Sequence, residues 1–193
     1  MRIIAGTARA TQLRCPPGDA VRPTSDFVRG VVVSMLGGQF DGRRVLDVCA
    51  GTGAVALEFL SRGAQAAVAI ESAPDALAAL QWNARRTRLA DRLRVLDTDA
   101  LAGLDRLGKE RAAGRLEPFD LVYVDPPYRS GMHGAVLARL LRHGLVRAGG
   151  DVVVESDGGL DDAALAGWSH LDRRVRGAAT LDRLEPGVED PVP

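Results

Sequence analysis

The sequence predicts an α/β protein with a doubly wound, mostly parallel sheet of seven strands and an antiparallel edge. Between residues 44 and 155, short apolar segments typical of buried strands alternate with longer segments typical of helices. A glycine turn, AGTG, follows the first of these strands, as it does in the ligand-binding units of such sheets. After residue 155 the alternation stops and two extended stretches follow, which predict the antiparallel edge.

Each element is assigned from the period of its apolar residues and from the residues that begin or end it. The predicted strands are Arg44–Ala50, Ala66–Glu71, Leu93–Leu96, Phe119–Val124 and Asp151–Glu155, and the predicted helices are Ala54–Arg62, Pro74–Leu89, Leu101–Arg115 and Gly134–Leu145. Pro74 suits the first turn of a helix, where its missing N–H costs no hydrogen bond. A short helix is expected near Asp161–Trp168, and two strands near His170–Arg176 and Ala179–Leu184.

Before the first strand of the sheet, the chain predicts a small hairpin and a helix. The segments RIIAG and TQLRC are the expected hairpin strands. Thr24 is expected to cap the helix, with Asp26 in its first turn. The expected apolar face contains Phe27, Val28, Val31, Met35 and Leu36, and ends at Gly37. We therefore divide the chain into an extension at residues 1–40, a main domain at 41–186 and a proline-rich tail at 187–193.

Composition limits the class of protein. The 193 residues are 46% hydrophobic, which suits one buried core. No apolar run reaches the roughly 18 residues of a membrane span, so no membrane contact is expected. Two cysteines and three scattered histidines predict neither a disulfide framework nor a metal site, and a cytoplasmic monomer is the simplest expectation. The formal net charge is zero, which argues against nucleic-acid binding through overall charge alone.

The segment VLDVCAGTGAVALEFL has the pattern of a strand, a glycine turn and a helix. Gly51 and Gly53 allow the backbone to pass close to a ligand, beside unpaired N–H groups at the start of the helix. Glu71 follows twenty residues after Gly51 and can accept both hydroxyls of a ribose. Together with Ala56, the two glycines also match the dinucleotide fingerprint, so an NAD-dependent enzyme remains an alternative.

Two further carboxylates favour a methyl donor over NAD. Asp47 lies four residues before Gly51, where its charge would repel a pyrophosphate but attract the cationic amino group of S-adenosylmethionine. Asp99 follows the third strand and can accept the adenine amino group, although an acid at this position also suits a helix cap. Both roles of Asp99 stay open.

The fourth strand ends in DPPY, from Asp125 to Tyr128. Prolines end a buried strand, because they lack an N–H and cannot continue its pairing. The loop is then rich in hydrogen-bond acceptors and suits a planar amine held by Asp125 and the Pro126 carbonyl, with Tyr128 stacked on the attached ring. Holding both N–H groups localises the nitrogen lone pair for attack on a methyl group. A rigid strand-ending turn without chemistry explains a DPP sequence alone equally well.

These motifs together resemble the Rossmann-like class I S-adenosylmethionine methyltransferases, and the DPPY variant resembles those that act on amino groups of bases. The segments RPTSDFVRG and LSRGA are similar to the RsmD family, bacterial methyltransferases of guanine N2 in small-subunit (16S) ribosomal RNA. The resemblance extends from Met1 to about Leu184.

The resemblance implies roles for individual residues. The cofactor is S-adenosyl-L-methionine, which leaves as S-adenosyl-L-homocysteine, and the cofactor residues are Asp47, Ala50, Gly51, Thr52, Gly53, Glu71, Asp99 and Ala100. The catalytic residues are Asp125, Pro126, Pro127 and Tyr128. The substrate-binding residues are Arg22, Thr24, Asp26 and Arg29, which a capped surface helix explains equally well. The chain departs from the family pattern at Phe27, Gly30 and Ala73.

Alternative functions stay open from the sequence. A DNA adenine-N6 methyltransferase can use the same DPPY pocket, but 193 residues leave little room for its target-recognition domain. A non-catalytic RNA-binding or assembly protein can retain the fold, and an NAD-dependent oxidoreductase can use the glycine loop. For the favoured function, the expected partner is 16S ribosomal RNA within a partly assembled small subunit, because a chain of zero net charge makes few phosphate contacts.

Overall fold

The computed structural model describes residues 1–16, 25–127 and 131–187. Its elements are α1 (Asp26–Met35), β1 (Arg44–Val48), α2 (Ala54–Ser61), β2 (Ala66–Glu71), α3 (Pro74–Arg86), a 3₁₀ turn (Ala90–Arg92), β3 (Leu93–Asp97), α4 (Ala100–Ala112), β4 (Phe119–Val124), α5 (Met132–Arg142), β5 (Val146–Ser156), β6 (Trp168–Arg176) and β7 (Ala179–Pro186). The strand order is β3-β2-β1-β4-β5-β7-β6. Strands β1 to β5 pair in parallel, and β7 pairs antiparallel with both β5 and β6. The predicted sheet of seven strands with an antiparallel edge is confirmed.

Helices cover both faces of the sheet because its buried strands place apolar residues on both sides. In β1, Val45 belongs to the cluster under α1 and α2, whereas Leu46 and Val48 belong to the cluster under α4 and α5. Asp47 alternates with Leu46 and therefore faces α2, where the first cluster surrounds it. A carboxylate is thus positioned inside an apolar layer.

The amino-terminal segment folds back on itself as a small hairpin that side chains of α2 hold in place. An antiparallel bridge joins Arg2 and Gln12, the Ile3 N–H donates to the Thr11 carbonyl at 3.0 Å, and the Leu13 N–H donates to the Met1 carbonyl at 3.2 Å, so the predicted small hairpin is confirmed. Glu58, 1% exposed, accepts hydrogen bonds from the backbone N–H groups of Ile4 and Ala5, at 2.7 and 3.1 Å, and from Arg62. The Ile4 and Ala5 N–H groups thus fasten the hairpin to α2.

The start of α1 differs from the prediction. Ser25 caps the helix and accepts a hydrogen bond of 3.1 Å from the Val28 N–H, whereas Thr24 lies outside the described residues. Val28 and Met35 are buried as expected, but Phe27 is 65% exposed. Phe27 precedes Val28 by one residue, about 100° around the helix, so the same rotation that buries Val28 turns Phe27 outward.

Several element boundaries also differ. The short helix expected near Asp161–Trp168 is wrong, because its backbone bonds form separate turns and Gly167, with φ of 79°, ends them before β6. Helix α3 ends three residues early, since the Thr87 hydroxyl bonds the Asn83 and Ala84 carbonyls and Arg88 has φ of 61°. Strand β5 begins five residues earlier than predicted, with an irregular register opposite Phe119 to Leu121.

Candidate active site

A cavity of about 770 Å³ opens where β1, β2 and β4 reach their carboxyl ends. Strand β1 lies between β2 and β4, so this edge is the switch point at which ligands bind in such sheets. The predicted residues that line the cavity are Asp47, Ala50, Gly51, Thr52, Glu71, Asp99, Ala100, Asp125, Pro126 and Pro127. The structure therefore brings together residues from the loops after β1, β2, β3 and β4.

The loop after β1 bends in a way that brings its backbone against the cavity. Strand β1 ends at Val48 because Cys49 takes a φ of 62°, and Gly51 and Gly53 follow with φ of 54° and 74°. Gly53 lies behind the loop, where a β-carbon would come within 2.9 Å of the Leu80 side chain. This position therefore needs glycine both for its conformation and for space.

Asp47 is a buried carboxylate at the cavity wall. It is 1% exposed, and its Oδ2 atom accepts a hydrogen bond of 3.0 Å from the Ala56 N–H in the first turn of α2. Burial raises the pKa of Asp47 to about 7; the hydrogen bond from Ala56 lowers it in part, and the charge of Glu71 raises it further. A cation bound beside this carboxylate would relieve the cost of its charge.

Glu71 holds the loops that surround it. Its Oε2 atom accepts a hydrogen bond of 2.7 Å from the Gly51 N–H, and its Oε1 atom accepts from the N–H groups of Ser72 and Ala73, both at 2.8 Å. The sequence predicted contact with a ribose and did not predict these three bonds. Each carboxylate oxygen has two lone-pair directions, so the bonds leave acceptor capacity toward the cavity.

Asp99 is the N-cap of α4 and also lines the cavity. Its Oδ1 atom accepts a hydrogen bond of 3.0 Å from the Ala102 N–H. The carboxylate is nevertheless exposed and contributes to the cavity wall beside Ala100. The two alternatives left open by the sequence are therefore compatible, since one oxygen satisfies the helix and the side chain still borders the ligand space.

The DPP segment leaves β4 beside the glycine loop. The Asp125 N–H donates to the Val48 carbonyl at 3.2 Å, which extends the pairing of β4 with β1 by one residue before the prolines end it. Pro126 is buried, whereas Pro127 is exposed at the cavity rim. Tyr128 lies outside the described residues.

Sequence reasoning missed a buried pair on the floor of the cavity. The Tyr123 hydroxyl donates to Glu155 Oε2 at 2.5 Å, and both side chains line the cavity. Burial and the charge of Asp125 raise the pKa of Tyr123 well above its ordinary value, so the phenol stays protonated. The alternation of β4, which can be read from the sequence, puts Tyr123 on the same face as Leu121, but its place opposite Asp47 depends on the register of β4 against β1.

Cys49 also lines the cavity, but its chemistry is that of an inert thiol. Burial, followed by the charges of Glu71, Asp125 and Asp47, raises the pKa of the Cys49 thiol to about 12. The raised pKa favours the neutral thiol at neutral pH, so this environment does not activate Cys49 as a nucleophile.

The predicted substrate residues at the start of α1 have structural contacts. Arg29 is 1% exposed, and its Nη2 atom donates to the Arg2 carbonyl at 2.6 Å and to Asp26 Oδ1 at 2.7 Å. Arg29 thus ties α1 to the amino-terminal segment and offers almost no surface to a substrate. Arg22 and Thr24 lie outside the described residues.

The described part of the chain contains neither a metal-binding cluster nor a membrane-spanning helix. Residues 1–16, 25–127 and 131–187 contain no group of three or more histidine, cysteine or acidic side chains that could hold a metal ion. No helix within these ranges is long and apolar enough to cross a membrane.

Known proteins resemble this chain over nearly its whole length. Ribosomal RNA small subunit methyltransferase D of Escherichia coli (strain K12) is 32% identical over 179 residues, which are 92% of this chain and 85% of that protein. YlbH of Bacillus subtilis (strain 168) is 31% identical over 157 residues, 81% of this chain and 83% of its own. The solved structure of yhhF from Escherichia coli is 31% identical, has a TM-score of 0.81, and the match covers 97% of this chain and 98% of that one.

The Rossmann-like fold expected of class I methyltransferases is thereby confirmed. A family model described as conserved hypothetical protein 95 matches residues 1–184. The resemblance inferred from the motifs is confirmed as well, and the chain belongs to this family, the RsmD family of ribosomal RNA small subunit methyltransferases.

Proposed function

We propose that this protein transfers a methyl group from S-adenosyl-L-methionine to the exocyclic N2 amine of a guanine in small-subunit (16S) ribosomal RNA. One observation carries the proposal: a single cavity contains both the loop suited to a methyl donor and the acceptor-rich segment from Asp125 to Pro127. The name of the Escherichia coli relative, ribosomal RNA small subunit methyltransferase D, supports ribosomal RNA as the substrate.

The side chains in the cavity fit the donor by their chemistry. Asp47 would hold the cationic amino group, Glu71 the ribose hydroxyls and Asp99 the adenine amine, which are three acceptors for three sets of donors. Ala50, Gly51, Thr52 and Ala100 contribute small side chains and backbone to the same wall, and Gly53 permits the bend behind it. The donor would supply a methyl group on a positively charged sulfur and leave as S-adenosyl-L-homocysteine.

The residues after β4 would prepare the guanine amine. The Asp125 carboxylate and the Pro126 carbonyl accept hydrogen bonds from its two N–H groups, which localises the nitrogen lone pair and aims it at the donor. The nitrogen loses one proton as it gains the methyl group, and Asp125 is the carboxylate that would receive this proton. Pro127 stiffens the segment, and Tyr128 would stack on the base after the base leaves its helix.

The net charge of the chain indicates whether free RNA or a partly assembled small subunit is the substrate. The 25 Lys and Arg residues are balanced by 25 Asp and Glu residues, so the chain has no net excess of cations to hold free RNA, and ribosomal proteins in a partly assembled small subunit would supply part of the contact. We place the enzyme in the cytoplasm, where small subunits assemble, and expect it to act as a monomer.

Methyl transfer to three substrates tests the function. Labelled S-adenosyl-L-methionine is supplied with undermethylated small subunits, free 16S ribosomal RNA or duplex DNA, and the products are digested to nucleosides. N2-methylguanosine from the ribosomal substrates alone is the expected result. N6-methyladenine in DNA would replace the proposal with a DNA methyltransferase. Cofactor binding without transfer to any substrate would favour a non-catalytic RNA-binding protein.

A further inference from the structure

A second groove of about 740 Å³ lies beside the active-site cavity. Its walls come from the amino-terminal segment, the outer side of α1 and the end of β6, elements that are far apart in the sequence. Phe27 and Arg176 line both the groove and the active-site cavity, so the two spaces adjoin. A polymer whose reactive base occupies the cavity can therefore continue into this groove.

The groove is basic although the chain as a whole is neutral. Arg2, Arg9, Arg174 and Arg176 line it, and among the described residues Asp26 is the single acid in its lining. Asp26 already forms an ion pair with Arg29, whose guanidinium lies 2.7 Å away. Arg2 lies 3.9 Å from Asp26 and keeps 62% of its side chain exposed, and Arg174 is paired with Asp172 at 3.0 Å. A local excess of positive charge suits the phosphates of a nucleic acid.

Phe27 places an aromatic ring at the junction of the two spaces. Phe27 is 65% exposed, and arginines line the same groove beside it. Gly30 lies one helical turn further along α1 and also lines the groove. A β-carbon at Gly30 would meet no atom within 4 Å, so the space beside the ring is open. A flat, open aromatic surface suits stacking with a base.

We infer that this groove binds the RNA segment next to the target guanine, with Phe27 stacked on a neighbouring base and the arginines on its phosphates. The inference rests on the proposed function and extends it to a second, separate surface. Bases next to an extruded nucleotide lose a stacking partner, and an aromatic side chain at the junction would replace that partner. Phe27 and Gly30 act together, since a large side chain at residue 30 would fill the space that the base needs.

Substitutions at Phe27 test the stacking. Phe27→Ala is expected to raise the KM for undermethylated small subunits roughly tenfold, in line with the loss of one base–aromatic stack. Phe27→Trp keeps a ring and is expected to keep the KM, whereas Phe27→Leu keeps apolar contact without a ring and is expected to behave like Phe27→Ala. The dissociation constant for S-adenosyl-L-homocysteine, measured by calorimetry, confirms that each variant is folded. An unchanged KM for Phe27→Ala, or full recovery in Phe27→Leu, would overturn the inference.

The arginines are tested through the salt dependence of binding. Affinity for a labelled single-stranded RNA oligonucleotide is measured at several salt concentrations by fluorescence anisotropy. Arg9→Gln and Arg174→Gln are each expected to reduce the slope of log affinity against log salt by about 0.7, the value for one lost phosphate contact on a single strand. Arg86→Gln is the matched control, because Arg86 is exposed at the end of α3 and lines neither space.

The two measurements separate the inference from the proposed function. Wild-type protein that transfers no methyl group would refute the proposed function, while the oligonucleotide experiment would still test the groove. Equal slopes for wild type, Arg9→Gln and Arg174→Gln would refute the groove even if methyl transfer occurs. If KM for subunits rises while oligonucleotide binding stays unchanged, the groove contacts a ribosomal protein and the inference is wrong.

Discussion

The burial of Asp47 favours its neutral form, whereas its proposed role in binding a cation requires the charged form. As a buried carboxylate it is costly when charged, which its pKa of about 7 expresses. As the proposed partner of a cationic amino group it acts only when charged. Binding of the cation at neutral pH therefore draws the carboxyl toward its ionised form, and the hydrogen bond from Ala56 holds the side chain in position in either state.

Cofactor affinity should depend on pH through this residue. Below pH 7 the Asp47 carboxyl is protonated and neutral, and above pH 7 it is charged, so affinity rises with pH. S-adenosyl-L-homocysteine is expected to bind roughly tenfold more weakly at pH 6 than at pH 8, as measured by calorimetry. Asp47→Asn keeps an acceptor for Ala56 and is expected to bind weakly at both values. Equal wild-type affinity at pH 6 and pH 8 would contradict the role of Asp47.

Asp125 should affect the chemical step and leave cofactor binding intact. Asp125→Asn removes the carboxylate that holds and polarises the amine, and the expected kcat falls by roughly 10²-fold. Its dissociation constant for S-adenosyl-L-homocysteine should match that of the wild type. Asp97→Asn is the control, since Asp97 is exposed at the end of β3 and does not line the cavity. Wild-type kcat in Asp125→Asn would remove Asp125 from the mechanism.

At the scale of elements, replacing a glycine by alanine is expected to lower the free energy of unfolding in the loop after β1 and to raise it in α5. Gly53→Ala forces a side chain into the left-handed region and against Leu80, so a loss of roughly 1–3 kcal/mol in the free energy of unfolding is expected, together with weaker cofactor binding. Gly134→Ala adds a methyl group inside α5 at 3.9 Å from Ala164, and a gain of about 0.5–1 kcal/mol is expected. Urea unfolding measures both changes, and equal values for the two variants would contradict this explanation.

The amino-terminal segment should detach when its anchor on α2 is removed. Glu58→Ala leaves two backbone N–H groups and Arg62 without their acceptor, and the expected loss is roughly 3 kcal/mol. Hydrogen exchange at the Ile4 and Ala5 amides should accelerate more than exchange in β1 or β4. Glu117→Ala, at an exposed position before β4, should change neither quantity. Unchanged exchange at Ile4 and Ala5 in Glu58→Ala would show that other contacts hold the segment.

At the scale of the whole molecule, the neutral net charge bears on the proposed choice between free 16S RNA and assembled subunits. If ribosomal proteins supply part of the contact, kcat/KM should be higher on undermethylated small subunits than on free 16S RNA, by a factor on the order of ten. Steady-state methyl transfer to the two substrates at one salt concentration measures the difference. Equal values would mean that the chain finds its target through RNA alone.

The sequence was sufficient for the sheet and for the residues of the cavity because both follow from local patterns. Parallel strands end at one edge, so Asp47, Glu71, Asp99 and Asp125 could be placed together from strand ends alone. The Tyr123–Glu155 pair depends on the register of β4 against β5, and no local pattern contains that register. The exposure of Phe27 depends on how α1 is rotated about its axis. Phe27 and Val28 are adjacent and both apolar, so the spacing of apolar residues does not decide which of the two faces the core.

The division into an extension, a main domain and a tail stays a prediction. The contacts of Glu58 and the apolar packing of Ile3 and Val32 place the amino-terminal residues in the same cluster as α2. Such contacts join residues more than 50 positions apart, for example Ile4 and Glu58. The spacing of apolar residues within one helix or strand does not predict them.

The second groove joins the beginning of the chain to its end, since Arg2 and Arg9 meet Arg174 and Arg176 there. A ribosome makes proteins from the amino terminus, so Asp47 through Asp125 are synthesised well before Arg174. A nascent chain still attached to its ribosome thus carries the groups for the methyl donor and the amine while half of the basic wall is missing. If the groove binds RNA as inferred, the order of synthesis would leave an unfinished chain with weaker binding to the ribosomal RNA around it than the finished protein has.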